Sequence, residues 1–548
     1  MKTKLRSWLA GTLAVCSILS FTACSGGKDS SSTPESTVMH EKEVKFPLEE
    51  PVTFKFMVRG VEGESFKSDL EKNPLWQKIK NETNVNIQFE FLGAGTAAAE
   101  KLALMINGSN YGDVWFGGPW LTDLDVSKYI EAEKLQEIGG YFNKTVMPNF
   151  TKQLEENPQI YNMVTATDGK IYTLPKNNGL QGHYLETPIW INKKWLDTLG
   201  LAVPTTLDEL TNVLRAFATR DPNGNNLQDE IPYLCAVGQS FMHTEALLGL
   251  WGLATKDSTT DAFVQVVDGK VKFVPIDPAY KEAIKWYRTL YTEGLMWNEC
   301  FTGNSTTLNA KLKSETCVVG MFTNTAPVST AYSSDYICIA PPKVEGYEPK
   351  FYYHPATNGS KNQFLVTDLC QNVDVLMAFM DKFYDLENAL ACNYGFVGEG
   401  RLEKTDDGKY KILTLDSETQ KAIDKEYPVL TKIIGNIPHG IPVSAYENQI
   451  ILGGNDAIKQ NNYAIYKDYI NKEVWPRPYY APDDAYDMDA LTTDIFYQVD
   501  TKRANWITNK SDIDQEWDAY VNTIKKLGID DYLAILQRSY DVYANATK

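Results

Sequence analysis

The chain has 548 residues and is 43% hydrophobic, 23% charged and 12% aromatic. That is the composition of a large globular protein of roughly two to four domains. Its formal net charge of -18 repels nucleic acid and anionic lipid, so neither is expected as a partner.

The first segment reads as an export leader. Lys2, Lys4 and Arg6 form a basic start, and an apolar stretch runs from Trp8 to Phe21. That stretch is shorter than the ~20 apolar residues of a membrane span. Phe21-Thr22-Ala23-Cys24 then ends it on small residues and a cysteine. The segment resembles a bacterial lipoprotein signal, which implies cleavage before Cys24 and a diacylglycerol on its thiol. The Gly/Ser-rich run from Ser25 to Pro34 follows as a flexible tether.

Alternating strands and helices begin near Val52. Strands are expected at 52–58, 85–91 and 113–116, with helices at 73–80 and 97–106 between them. This β-α-β-α-β order implies a mainly parallel sheet covered by helices. Ligands of such sheets sit beyond the carboxyl ends of the strands, where Gly117-Gly118-Pro119-Trp120 falls. A second α/β unit starts near Pro188–Asn192, and further helices are expected at 207–218, 278–293, 373–386 and 514–546. Cys235, Cys300, Cys317, Cys338, Cys370 and Cys392 are widely spaced. They admit either a disulfide framework or buried thiols, and none has metal spacing.

No GxSxG elbow, P-loop or HExxH is present, and the five His are scattered. An enzyme is therefore not expected. One segment carries ligand chemistry: Asp221-Pro222-Asn223-Gly224-Asn225-Asn226-Leu227-Gln228-Asp229-Glu230. Asp221, Asn223, Asn225 and Asp229 alternate like the front half of an EF-hand calcium loop, with the Leu227 carbonyl and Glu230 completing the shell. Asn226 stands where that loop has glycine, and asparagine tolerates a left-handed backbone. The same residues also read as a solvated Asn/Gly turn.

The run from Trp190 to Leu201, then Pro204–Leu210 and Asp221–Pro232, resembles extracellular solute-binding protein family 1. The closer likeness is to its large lipoprotein branch, LipO-like and alginate-binding-like. Asp168–Pro175, Leu290–Leu295, Asn393–Gly400 and the stretch from Trp517 to Tyr543 follow that branch in order. The resemblance implies an α/β fold of the periplasmic-binding-protein-like type II: two α/β lobes joined by a hinge, with a ligand cleft that closes between them. The division is a leader at 1–23, lipidated cysteine and tether at 24–48, lobe 1 at 49–177, lobe 2 at 178–354, a lobe 1 return at 355–402, and the second part of lobe 2 with the terminal helices at 403–548. It also implies calcium in the Asp221–Glu230 loop, and permease subunits of an ABC importer as partners. The expected location is the extracellular face of the cell membrane, held by the lipid anchor alone, as a monomer.

A carbohydrate offers flat C–H faces to aromatic rings and hydroxyls to polar groups. The residues expected to meet it are Trp120, His183, Tyr184, Phe241, Trp251, Tyr394, Glu399 and Trp475. Competing readings are a secreted glycoside hydrolase, whose carboxylate pair no single sequence reveals, and the same fold binding a peptide or an acidic sugar.

Overall fold

A computed structural model describes residues 38–59, 70–93, 96–117, 121–185, 187–239, 241–255, 263–327, 332–353, 361–476 and 478–546. The leader, Cys24 and Trp120 lie outside the described residues. The strands that position the site are β1 (Val52–Arg59), β2 (Val85–Gly93), β3 (Val114–Phe116), β4 (Lys176–Asn178), β5 (Ile189–Asn192), β6 (Ile231–Tyr233), β7 (Val319–Thr323), β8 (Tyr336–Ile339), β9 (Phe364–Val366) and β10 (His439–Ile441).

The first sheet has the order β9-β3-β1-β2. β1 pairs in parallel with β2 and β3, as the β-α-β-α-β pattern requires. The return strand β9 adds an antiparallel edge. Local chemistry sets the helices between these strands. The Asn73 side chain caps the helix Pro74–Thr83, accepting from the Leu75 and Trp76 amides, and Asn84 ends it at φ 57. Leu75, Trp76 and Ile79 then pack on the sheet with Phe54, Phe56, Phe116 and Phe364. Each such burial contributes ~1.5–3 kcal/mol. Leu430, Ile433, Ile434 and Ile437 join this core too, although they come from the stretch assigned by sequence to lobe 2.

The second sheet has the order β8-β5-β7-β6. β5 pairs antiparallel with both β8 and β7, and β6 pairs in parallel with β7. Its core runs from Tyr184 to Tyr353 and resumes at Tyr466. The two cores thus belong to two α/β lobes, and the chain passes between them repeatedly: through β4 and the turn Gln181–Tyr184, between Tyr353 and Phe364, between Ile441 and Tyr466, and between Trp475 and Tyr479.

Two expected helices are each divided. The 373–386 helix ends at Asp381, and Asp385 caps a new helix, Leu386–Tyr394, through the Glu387 and Asn388 amides. The 514–546 helix breaks at Gly528, with φ 95, into Ile513–Lys526 and Ile529–Asn545. The six cysteines are free thiols, and all but Cys338 are buried. No helix among the described residues is long and apolar enough to cross a membrane.

Candidate functional site

The first lobe presents a polar cluster at the carboxyl ends of β1 and β3, where a parallel sheet places its ligand. Asp123 stands in the first turn of the helix Asp123–Glu131, which Thr122 and Asp125 close with a capping box. The Lys361 ammonium lies 2.9 Å from one Asp123 oxygen, and Asn362 Nδ2 donates to the other at 2.6 Å. The Tyr479 hydroxyl donates to Asn362 Oδ1, and Lys361 sits 3.7 Å above the Tyr479 ring. The Asn362 amide also donates to Thr173 Oγ1 at 3.0 Å. Burial, then the Asp123 charge, pushes the Tyr479 phenol up, so it remains a donor.

The second lobe turns the carboxyl ends of β6 and β7 toward the crossing, because β5, antiparallel to β7, begins just after the chain arrives from the first lobe. There Phe241 is 41% exposed, and its carbonyl accepts from Thr323 Oγ1 at 2.9 Å. Asn324 follows β7, its carbonyl taken by the Trp190 indole at 2.8 Å. Asn462 Nδ2 donates to the Thr325 carbonyl at 2.9 Å.

Between the lobes, β4 pairs with β10 as a short parallel ribbon outside both sheets. Gln153 holds it, donating to the Gly440 carbonyl at 2.8 Å and accepting from Asn177 at 3.0 Å. Beyond it, Gly182 packs against the helix Gly454–Tyr466 so closely that a Cβ would lie 2.2 Å from the Lys459 carbonyl oxygen. His183 faces that helix, with Nε2 3.4 Å from Asp456 Oδ1 and Nδ1 3.2 Å from Lys459 Nζ. The Tyr394 hydroxyl donates to Asp456 Oδ2 at 2.6 Å. Burial holds His183 below its ordinary imidazole range, against the pull of Asp456. Burial also raises the cost of charge on Asp456, but His183, Tyr394 and Lys459 outweigh it and hold that carboxyl below the usual range. A neutral His183 that donates through Nε2 and accepts at Nδ1 satisfies both neighbours.

The sequence candidates divide accordingly. His183 and Tyr394 meet through Asp456. Tyr184 is buried beside them, its hydroxyl donating to the Asn178 carbonyl and its ring edge-on to Tyr353 at 5.9 Å. Phe241 offers a face to solvent. Trp251 packs 5.5 Å from Trp286 in the second core, because it ends the wholly buried turn Thr244–Trp251, apolar from Ala246 onward. Trp475 is buried too, stacked 6.3 Å from Tyr540. Glu399 accepts from the Phe396 amide at 2.7 Å and shapes the turn after Tyr394. Sequence reasoning missed Asp123, Lys361, Asn362, Tyr479, Asp456 and Lys459. The available signal was positional: Lys361 and Asn362 lie just before a strand at the lobe return, separated from it by Gln363 alone.

The Asp221–Glu230 loop adopts the turn that its glycine and asparagines permit. Gly224 and Asn226 take φ 72 and 61, so Asn226 does adopt the left-handed backbone glycine would supply. Asp221 Oδ1 accepts from the Gly224 and Asn225 amides at 2.9 and 3.1 Å, and Oδ2 from Asn226 at 2.9 Å. Asn223 and Asn225 turn their Nδ2 atoms to Asp229 Oδ1 at 3.1 and 3.0 Å. Glu230 Oε1 is buried with no hydrogen-bond partner among the described residues. Burial pushes its carboxyl up, and the Asp229 and Asp221 charges add to that rise. A hard cation would answer that crowding of carboxylates. Among the described residues no three of His, Cys, Asp and Glu group closely enough to hold a metal by themselves. To complete a shell around a cation, the asparagine amides would turn their oxygens inward.

Comparison with known proteins bears on this arrangement. Residues 60–362 match the family model described as bacterial extracellular solute-binding protein. The chain is similar to the fructooligosaccharide ABC transporter substrate-binding protein FusA of Streptococcus pneumoniae, 28% identical across 98% of this chain and 99% of that one. Its fold is similar to that of an HMO-binding, ABC-transporter-associated solute-binding protein from Bifidobacterium longum infantis, with a TM-score of 0.75 and 22% identity over 90% of this chain and 99% of that one. It is also similar to the structure of a FusA EF-hand mutant in complex with fructo-nystose, with a TM-score of 0.68 and 25% identity over 90% of this chain and all of that one.

Proposed function

Because the chain belongs to the bacterial extracellular solute-binding proteins, we propose that it captures an oligosaccharide between its two lobes and delivers it to the permease of an ABC importer. The observation that carries this reading is the end-to-end similarity to a fructooligosaccharide-binding relative, covering nearly the whole of both chains. The polar groups at the strand ends support it. Asp123, Asn362 and Tyr479 on one lobe, and Asn324 with the exposed Phe241 ring on the other, are the residue types that pair with sugar hydroxyls and stack on sugar faces. The chain acts as a binder, and the glycan is released intact. Cys24 carries the lipid that keeps the protein, a monomer, at the outer face of the membrane.

Calcium in the Asp221–Glu230 loop belongs to the same reading. Asp221, Asn223, Asn225, Asp229, Glu230 and the Leu227 carbonyl would hold it, and it would brace the loop between the helix Leu207–Thr219 and β6.

The test is a thermal-shift screen of residues 25–548 against fructo-oligosaccharides, other neutral glycans, uronates and peptides, with chromatography of the recovered ligand. A ligand that binds only the folded state raises the melting temperature. A rise with one glycan family and an intact recovered glycan is expected. A rise with peptides alone overturns the carbohydrate assignment, and cleaved product overturns the non-enzymatic one.

A further inference from the structure

Gln363 ends the passage from the second lobe back to the first, between Asn362 and β9. Its carbonyl accepts from the Gly117 amide at 2.9 Å, which fixes it at the carboxyl end of β3, next to the Asp123–Lys361–Asn362 cluster. Its side chain is completely buried, at 0% exposure. Neither the nitrogen nor the oxygen of its side-chain amide has a hydrogen-bond partner among the described residues. Other buried orphans, such as the Tyr233, Tyr280 and Tyr287 hydroxyls, each leave one atom unanswered within the second core. Gln363 leaves a donor and an acceptor unanswered together.

A buried amide in that state destabilises a fold, and an apolar side chain of like size does not. Its position at a strand end offers a compensating use. A carboxamide donates through its nitrogen and accepts through its oxygen, which matches two neighbouring hydroxyls of a sugar ring, each of which does both. We propose that Gln363 is a ligand-positioning residue of the first lobe, its carboxamide receiving a vicinal hydroxyl pair of the bound saccharide beside Asp123. The Asp123 carboxylate, with its side chain 28% exposed, is open to a third hydroxyl. This inference rests on the oligosaccharide-binding reading above.

The test compares wild type with Gln363→Leu, using residues 25–548. Calorimetric titration with fructo-nystose and with the strongest glycan of the thermal screen gives affinity, and the melting temperature without glycan gives stability. The expected result is affinity weakened by about tenfold or more, with a melting temperature unchanged or raised. Equal affinity with a raised melting temperature overturns the inference, because the amide then serves only a buried water. If Gln363→Leu does not fold, Gln363→Met, whose flexible chain keeps the shape, is held to the same two outcomes. A wild type that binds no glycan overturns the proposed function and this inference with it. A wild type that binds while the variant binds equally overturns this inference alone.

Discussion

The Tyr394 hydroxyl donates to Asp456 Oδ2 at 2.6 Å, joining two helices that rest on different cores. Tyr394 ends Leu386–Tyr394, whose Ala391 and Cys392 pack in the first core. Asp456 opens Gly454–Tyr466, whose Tyr466 packs in the second. The bond joins these helices beside the crossing strands, where Tyr394 also packs against a small core with Leu390 and Ile450. Tyr394→Phe removes the donor and leaves Asp456 to His183 and Lys459. The expected cost is about 1–2 kcal/mol in urea unfolding, with altered glycan affinity if the junction takes part in closure. Unchanged stability and affinity would show that the contact does not tie the lobes.

Two buried groups set opposing pH dependences. His439 is held near 3, first by burial and then by the Lys176 charge. The unfolded chain takes up a proton below an imidazole's ordinary 6.5 and the fold does not, so stability falls as pH drops from about 6.5 toward 3. Asp381 is raised from 3.8 to about 6 by burial, despite its bonds from Asn149 and Phe150. The unfolded chain ionises first there, so stability falls as pH rises from about 4 to 6. Removing either group exposes the slope of the other. In urea titrations across that window, Asp381→Asn steepens the gain of stability with rising pH. His439→Gln turns the trend toward loss. Parallel curves for wild type and both variants would refute the assignment.

Trp251 and Phe241 respond differently to truncation. Trp251→Ala empties a site 5.5 Å from Trp286 in the second core and costs ~3–5 kcal/mol. Phe241→Ala removes an exposed ring, leaving stability within ~0.5 kcal/mol while glycan affinity falls. Calorimetry and titration of both variants separate packing from ligand contact. An unaltered affinity in Phe241→Ala removes that ring from the cleft.

Calcium is expected to raise the melting temperature, by the equivalent of ~2.7 kcal/mol when in hundredfold excess over its dissociation constant. Glu230→Gln abolishes that response and stabilises the metal-free protein at neutral pH, because it removes a carboxylate crowded by burial and by Asp229 and Asp221. Identical melting curves in calcium and in EDTA would leave the loop as a solvated turn.

The β-α-β-α-β unit and the asparagine-rich turn were legible from residue order, because alternation and left-handed positions act between near neighbours, whereas the breaks at Asp385 and Gly528 were not. The helix Pro482–Ile507 was not, since its buried face carries Thr492 and Arg503 among Met488, Ile495, Val499 and Trp506 and so shows no apolar stripe. Gly454–Tyr466 buries only Asn462 and Tyr466 along its length. These helices take their form from what they lean on. The candidate site follows the same rule. The likeness of the whole chain to a solute-binding family could be read in sequence, whereas His183 and Tyr394, expected to meet the ligand, are joined to each other through Asp456. That Asp456 would join those two, and that Lys361, Asn362 and Gln363 would return beside Asp123 and Gly117, depends on contacts between residues more than two hundred positions apart in the latter case. Only the closing of the chain on itself decides such contacts, because a single sequence records which groups are available and not which of them burial will bring together.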